Sequence, residues 1–257
     1  MKKKVCFLLI GICAIMFAFP ILATVGMAFW DGTFTLDGWK DLLLDCFPFY
    51  PMFWNSIFYS VVITVFHLIF VVPCAFGMIV AKTRWKKPIF YIYLVLMMMP
   101  LQVTILPNYI GLRDLGLLNT RAGILLPMIF SAFGVVVMHQ YMLKLDTGQI
   151  EAARMETSSV LKILFYIVIP NMKICIYAVA LFVFAESFNM LEQPMLFLKD
   201  SRLQNLSVFI ANAENYEGEV LFPAALIFMI PTLLLYLFFS DTLENGLTVG
   251  DLRGREG

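Results

Sequence analysis

Charge is scarce in this chain of 257 residues: 14% are Asp, Glu, Lys or Arg, against 61% that are hydrophobic. A soluble domain is nearer a quarter charged and half apolar, and one core of this length has no room for so much apolar surface. The 18 basic and 18 acidic residues cancel, which leaves no global basic field for nucleic acid. Disorder is excluded too, because disordered chains are poor in apolar residues. Histidine is limited to His67 and His139, and neither an HExxH nor a GxSxG pattern occurs. Catalytic residues and a metal site are therefore not expected. A GxxxxGK run ending in Ser or Thr is missing as well, so no Walker-type ATP site is expected in this chain. The five cysteines include no CxxC pair and are read as small apolar filler.

What is present is a series of long charge-free runs, with a mean hydropathy of +0.86. A helix needs about 20 apolar residues to cross the hydrocarbon core of a bilayer. The runs predict six spans, at about 5–29, 54–81, 88–110, 122–143, 173–197 and 220–240. Pro48 and Pro51 are expected to keep the start of the second run irregular. The reading is an all-α polytopic membrane protein: a single transmembrane domain over 1–257, with a long loop at 144–172 between spans four and five. No internal repeat stands out, which weakens a secondary transporter built from two similar halves.

Orientation follows the positive charges. With the N-terminus inside, the inner segments hold Lys2, Lys3, Lys4, Lys82, Arg84, Lys86, Lys87, Lys144, Arg154, Lys162, Lys173, Arg253 and Arg255. Only Lys40, Arg113, Arg121, Lys199 and Arg202 fall outside. Both termini are predicted to face the cytoplasm, with Trp30, Trp54 and Tyr109 near the outer boundary. A cleavable signal peptide has an apolar core of about 7–15 residues. The run from Val5 to Phe29 is longer, so it is read as an uncleaved first span.

The 144–172 loop carries helix signals. Asp146 with Gln149 makes a capping-box-like start, and Glu151, Ala152, Ala153, Arg154 and Met155 are good helix formers. Thr157, Ser158 and Ser159 offer hydroxyls to end that helix and cap a second over about 160–168, before Pro170 resets the chain. Helix chemistry alone leaves two readings open: an ordinary amphipathic interfacial loop, or a surface that another protein approaches closely at Ala152 and Ala153.

The segment Glu151-Ala152-Ala153-Arg154-Met155-Glu156-Thr157, continuing through Ile167 to Pro170, resembles the EAA loop of binding-protein-dependent ABC transporter permeases. That pattern is E-A-A-x-x-D-G, followed about a dozen residues later by I-x-L-P. Glu156 stands in for the acid, Ile169 replaces the leucine, and Thr157 replaces the glycine. If that glycine needs positive φ, a β-branched residue is a poor substitute there. Leu115-Gly116-Leu117-Leu118-Asn119-Thr120 and the tail from Gly246 to Gly254 resemble two further segments of the carbohydrate-type, maltose and multiple-sugar permeases.

The resemblance implies a division of labour in a bacterial inner membrane. This chain would pair with a second permease, as a heterodimer. Their cytoplasmic EAA coupling helices would dock on two ATP-binding cassette subunits, which bind ATP and Mg, and an extracytoplasmic binding protein would deliver a sugar or sugar-like solute. The ATPase-coupling residues are then Glu151, Ala152, Ala153, Glu156, Thr157, Ile167 and Pro170, with Glu151 making a charged contact. Gly246, Thr248 and Gly250 of the tail are candidates for a further ATPase contact. No cofactor is expected in this chain itself.

Ionisable groups inside a span are costly and tend to face a cavity or a partner. Glu186, Asn189 and Gln193 share one face of a helical fifth span and offer the groups that hydrogen-bond a polyol, so they are candidates for the substrate pathway. The carbohydrate-type permeases have an aromatic-Asn-acid cluster near here; this chain keeps Asn189, with Phe188 for the usual Trp and Met190 for the usual acid. A second stripe, Ser56, Ser60, Thr64 and His67, is read as interhelical hydrogen bonding. The rival to the ABC reading is a proton-coupled carrier or channel that uses Glu186, Glu192 and His67 as a relay.

Overall fold

A computed structural model describes residues 2–31, 33–81, 83–144, 147–216 and 219–253, with side chains described for 7, 9–30, 33–81, 83–144, 148, 150–216 and 219–240. Helix α1 (Lys2–Phe29) leads into a small antiparallel bridge of Trp30–Asp31 with Thr33–Phe34. That bridge is the one departure from an all-helical chain among the described residues. Helix α2 (Phe49–Val80) is the pillar of the fold. Its 32 residues give a rod of about 48 Å, longer than the roughly 30 Å hydrocarbon core. Met52, Ser56, Tyr59, Ile63, His67, Val71 and Ala75 recur at three- and four-residue spacing and are buried, so one stripe of the helix faces the interior.

The start of α2 corrects the expected irregular turn at Pro48 and Pro51. The helix begins at Phe49, with Pro48 as its N-cap residue and Pro51 in the first turn. Backbone N–H groups have no intrahelical acceptor there, so proline's missing donor costs nothing.

The third expected span is sharply bent, and the fourth is briefly interrupted. The third is α3 (Lys86–Met98) and α4 (Leu101–Asp114), at 103° to each other. Pro100 forces the residue before it out of the helical region, and Met99 is extended, with ψ 124°. The fourth is α5 (Arg121–Ile129) and α6 (Ala132–Met142), separated at Phe130 and Ser131.

In the loop, α7 (Thr147–Glu156) is followed by α8 (Val160–Asn171), which is widened by one π turn at Leu164–Val168. A bend of 79° at Met172 then leads into α9 (Lys173–Phe188). The expected continuous fifth span to 197 is corrected: α9 ends at Phe188, and α10 (Glu192–Phe197) starts anew. Helix α11 (Leu206–Ala211) and the final helix α12 (Leu221–Arg253) complete the chain. Among the described residues, four stretches are long and apolar enough to cross a membrane, or six if each bent pair is one span.

Two cores hold these elements. The larger surrounds α2, where α9, α6 and α5 bring Val179, Val183, Met138 and Ile124 against Tyr59, Ile63 and Val71. The smaller joins Leu42, Phe49, Met52, Phe209 and Val220 near the start of α2. Helix α1 leans on α12 alone among the long helices, and its apolar side chains, Phe7, Phe17 and Phe19 among them, are exposed.

Candidate functional site

The Leu115–Thr120 segment turns out to be a mechanical joint. Gly116 has φ +68°, a conformation that suits glycine at the end of a helix. The Leu117 amide donates to the Leu112 carbonyl at 2.8 Å, and the Gly116 amide to the Arg113 carbonyl at 3.0 Å. That pair of bonds is a Schellman end to α4. Asn119 takes φ +57°, which aims its Oδ1 at the backbone of a distant loop. The amides of Lys199 and Asp200 donate to it at 2.9 and 2.8 Å. Thr120 then caps α5, accepting from the Gly123 amide at 3.2 Å.

The same loop is gripped from α2. Asn55 Nδ2 donates to the carbonyls of Arg202 and Gln204 at 2.7 and 2.9 Å, and the Tyr59 hydroxyl donates to Leu203 at 2.7 Å. Arg121 donates to Asn55 Oδ1 at 3.4 Å and lies over the Phe58 ring. Neither the Asn55–Tyr59 grip nor the role of Asn119 was visible in the sequence. The available signals were a glycine closing one helix and an Asn-Thr pair opening the next.

Glu186, Asn189 and Gln193 lie along one cleft of about 350 Å³, together with Leu101, Met128 and Glu192. An adjoining cleft of about 620 Å³ shares Glu186 and Gln193 and adds Thr104, Asn108 and Ser131. The three candidates thus meet, although the helix expected to align them is interrupted. The backbone groups freed by that interruption find partners: Ser207 donates to the Phe188 carbonyl at 3.0 Å and Asn205 to the Met190 carbonyl at 2.7 Å. Non-helical backbone at membrane depth survives only with such compensation. Asn189 donates to the Ala185 carbonyl at 2.7 Å. Glu186 is exposed on the cleft wall, with no ion pair among the described residues.

The loop helices present a distinct surface. On α7, Ile150 and Ala153 are buried against the larger core, whereas Glu151, Ala152, Arg154, Met155 and Glu156 face outward. Ala152 and Ala153 therefore point to different surroundings. Thr157 is not in the left-handed region, since Asn119 is the one non-glycine there among the described residues. The turn closes through hydroxyls instead. The Ser159 amide donates to Thr157 Oγ1 at 3.2 Å, and the Lys162 amide to Ser159 Oγ at 3.4 Å. Leu161, Phe165 and Tyr166 are exposed on α8, Ile167 is half-buried, and Pro170 is exposed before the bend. Asp146 lies outside the described residues, and Gly246, Thr248 and Gly250 lie where only the helical backbone is described.

The α2 polar stripe serves packing in part. Ser56 Oγ accepts from the Leu206 amide at 2.8 Å, and His67 Nδ1 lies 2.9 Å from the Ile129 carbonyl. Ser60 donates within its own helix, to the Ser56 carbonyl at 2.8 Å, and Thr64 Oγ1 is buried without a partner. His67 is fully buried and lines neither cleft that holds Glu186, which disfavours the relay through Glu186, Glu192 and His67.

Long apolar helices, sharply bent pairs among them, with exposed apolar outer faces, define a polytopic helical membrane protein. Residues 74–249 match the family model described as binding-protein-dependent transport system inner membrane component, and the chain belongs to that family. It is 26% identical over 235 residues to the arabinooligosaccharides transport system permease protein AraQ of Halalkalibacterium halodurans, covering 90% of this chain and 84% of that protein. Against the sn-glycerol-3-phosphate transport system permease protein UgpE of Brucella abortus it is 23% identical over 201 residues, covering 76% of this chain and 71% of the relative. A crystal structure of a bacterial ABC transporter involved in the import of the acidic polysaccharide alginate shares the fold. Its TM-score is 0.82 at 24% identity, covering 93% of this chain and 95% of that one.

Proposed function

We propose that this chain is one of two permease subunits of an ATP-driven sugar importer, oriented with both termini in the cytoplasm of a bacterium. It binds no cofactor and catalyses no reaction; ATP and Mg are bound by two partner cassette subunits, and an extracytoplasmic protein delivers the solute. The observation that carries this reading is the surface of α7 and α8. Ile150 and Ala153 anchor α7 while Glu151, Ala152, Met155 and Glu156 face away from the chain, beside exposed Leu161, Phe165 and Tyr166. Such an apolar patch rimmed by charge marks a surface made for another protein. Glu151 forms the charged contact there, and a motion of the ATPase is passed through the α7–α8 pair to the bend before α9.

The cleft of Glu186, Asn189 and Gln193 is the solute path. Its carboxylate, amides and the hydroxyls of Thr104 and Ser131 match the donors and acceptors of a sugar. AraQ, named for arabinooligosaccharides, a permease named for lactose and UgpE, named for sn-glycerol-3-phosphate, support a sugar or sugar-like polyol.

The test is ATP-dependent sugar uptake by membrane vesicles carrying the assembled transporter. Glu151→Lys abolishes uptake while the protein remains inserted and copurifies with the second permease, and Glu186→Gln lowers uptake with ATPase binding intact. Normal uptake by Glu151→Lys removes the coupling assignment. Uptake by the purified chain alone, driven by a pH gradient, removes the whole reading.

A further inference from the structure

Another cleft, which the transport reading leaves unused, opens at the start of α3. It measures about 510 Å³ and lies between α2, α3 and α6, within the size range of small-ligand pockets. Lys86 and Lys87 stand at one level of it, and Phe90 and Leu94 form the wall further along α3. Seven residues separate Lys87 from Leu94, about 10 Å along the helix. Cation above and hydrocarbon below, at that spacing, is the order of a phosphate headgroup and the first part of an acyl chain.

Three further observations agree. Neither lysine forms an ion pair among the described residues, and no Asp or Glu lines the cleft. Helix α3 has no side-chain cap at its start, where the first N–H groups lack intrahelical acceptors and the helix dipole favours an anion. His139, on the opposite wall, stacks on Phe90 at 4.3 Å, and its Nδ1 is buried with no hydrogen-bond partner.

We propose that this cleft is a binding site for one anionic phospholipid, with the phosphate on Lys86, Lys87 and the start of α3 and an acyl chain along Phe90 and Leu94. A net anionic lipid is favoured over a zwitterionic one because the cleft offers two unpaired ammonium groups and no carboxylate for a headgroup cation. Basic pockets between membrane helices on the cytoplasmic side hold anionic headgroups in this way. The site is independent of the solute carried; it requires only that α3 enters the bilayer at Lys86.

The experiment uses the chain with its copurifying partners, reconstituted in nanodiscs of equal phosphatidylglycerol and phosphatidylcholine. After transfer to lipid-free mild detergent, the retained lipid is counted by mass spectrometry. Phosphatidylglycerol is expected to be retained in preference. The Lys86→Gln, Lys87→Gln double variant lowers its retention about twenty-five-fold, from roughly fivefold per basic residue near an anionic lipid. Leu94→Trp, which keeps both lysines and fills the apolar wall, lowers it as well. Lys162→Gln, a basic residue on α8 outside the cleft, leaves it unchanged, and size-exclusion profiles verify that each variant is folded. Equal retention of the two lipids overturns the proposal, as does unchanged retention in either cleft variant. Full displacement by millimolar inorganic phosphate overturns it too, as does a photoreactive residue at position 91 that crosslinks to polypeptide in place of lipid.

Discussion

Replacing Gly134 with alanine sets a methyl group against the most confined polar ring in the bundle. A Cβ at Gly134 collides with His67 Nε2 and comes within 3.1 Å of the Val71 side chain. The imidazole has nowhere to retreat: His67 is fully buried, and its Nδ1 lies 2.9 Å from the Ile129 carbonyl. Overpacking a well-filled core costs about 1–3 kcal/mol, and the helix propensity gained on replacing glycine by alanine returns up to about 1 kcal/mol. The clash with a ring that cannot move puts the cost near the upper end, about 2–3 kcal/mol, so the net is a loss of about 1–2 kcal/mol. His67→Ala alone forfeits a hydrogen bond of about 1 kcal/mol and leaves a cavity with its own cost. In the double variant the new methyl enters the space the ring has left, so the two losses do not add. Melting of the purified protein in detergent, read as a double-mutant cycle, is the assay. Both single variants melt below the parent, and the double variant melts above the sum of their effects. A Gly134→Ala protein that melts at or above the parent refutes the reasoning, and so does strict additivity.

Further substitutions probe the α7–α8 turn, the Asn119 joint and a buried thiol. Thr157→Gly should cost no more than about 1 kcal/mol, since that position needs no positive φ and loses a single hydroxyl acceptor. Ser159→Ala should cost about 1 kcal/mol as a lost N-cap, and amide hydrogen exchange in α8 compares the two. Asn119→Ala should loosen the 199–205 loop to protease more than Asn119→Gly. Both lose the side-chain acceptor, but only alanine adds roughly 1–2 kcal/mol for the left-handed backbone. Cys46 lies before α2, and burial pushes its thiol above the ordinary range. Maleimide labelling should therefore be slow near neutral pH and rise only as pH climbs past the usual thiol pKa, with Leu42→Ala speeding it. The sign for stability is the same. The folded chain favours the protonated thiol, so that contribution is full below the unfolded pKa and is lost as pH rises through the folded one.

Charge-free runs locate apolar helices well because desolvating charge is the largest single cost of crossing a membrane. They do not report bends, since a helix kinked at Met99 and Pro100 has the same hydropathy as a straight one. The i, i+3, i+7 spacing of Glu186, Asn189 and Gln193 implies one continuous helix, but that helix ends at Phe188. They still meet because the chain restarts at Glu192 along the same cleft. Pro48 and Pro51 signal a break in sequence yet sit in a helix start, because proline disrupts helix interiors and is harmless in a first turn. The α7–α8 turn was legible because hydroxyl capping is a local interaction between neighbours in sequence. The Asn55–Tyr59 grip was not, as it joins residues about 147 positions apart.

The distribution of long-range side-chain bonds is uneven along the bundle. Asn55, Ser56, Tyr59, Asn119 and Asn205 tie five segments together near the start of α2. Among the described residues, the opposite end around α7 and α8 is held chiefly by apolar packing of Ile150, Ala153 and Ile163. Directional bonds resist sliding, whereas apolar contacts tolerate it until the surfaces part. The two ends are thus held by different means: directional bonds near the start of α2, and apolar contact around α7 and α8. The Glu186 cleft lies at the bonded end, where Asn205 and Ser207 hold the Met190 and Phe188 carbonyls, so its wall keeps its shape when apolar contacts around α7 slip.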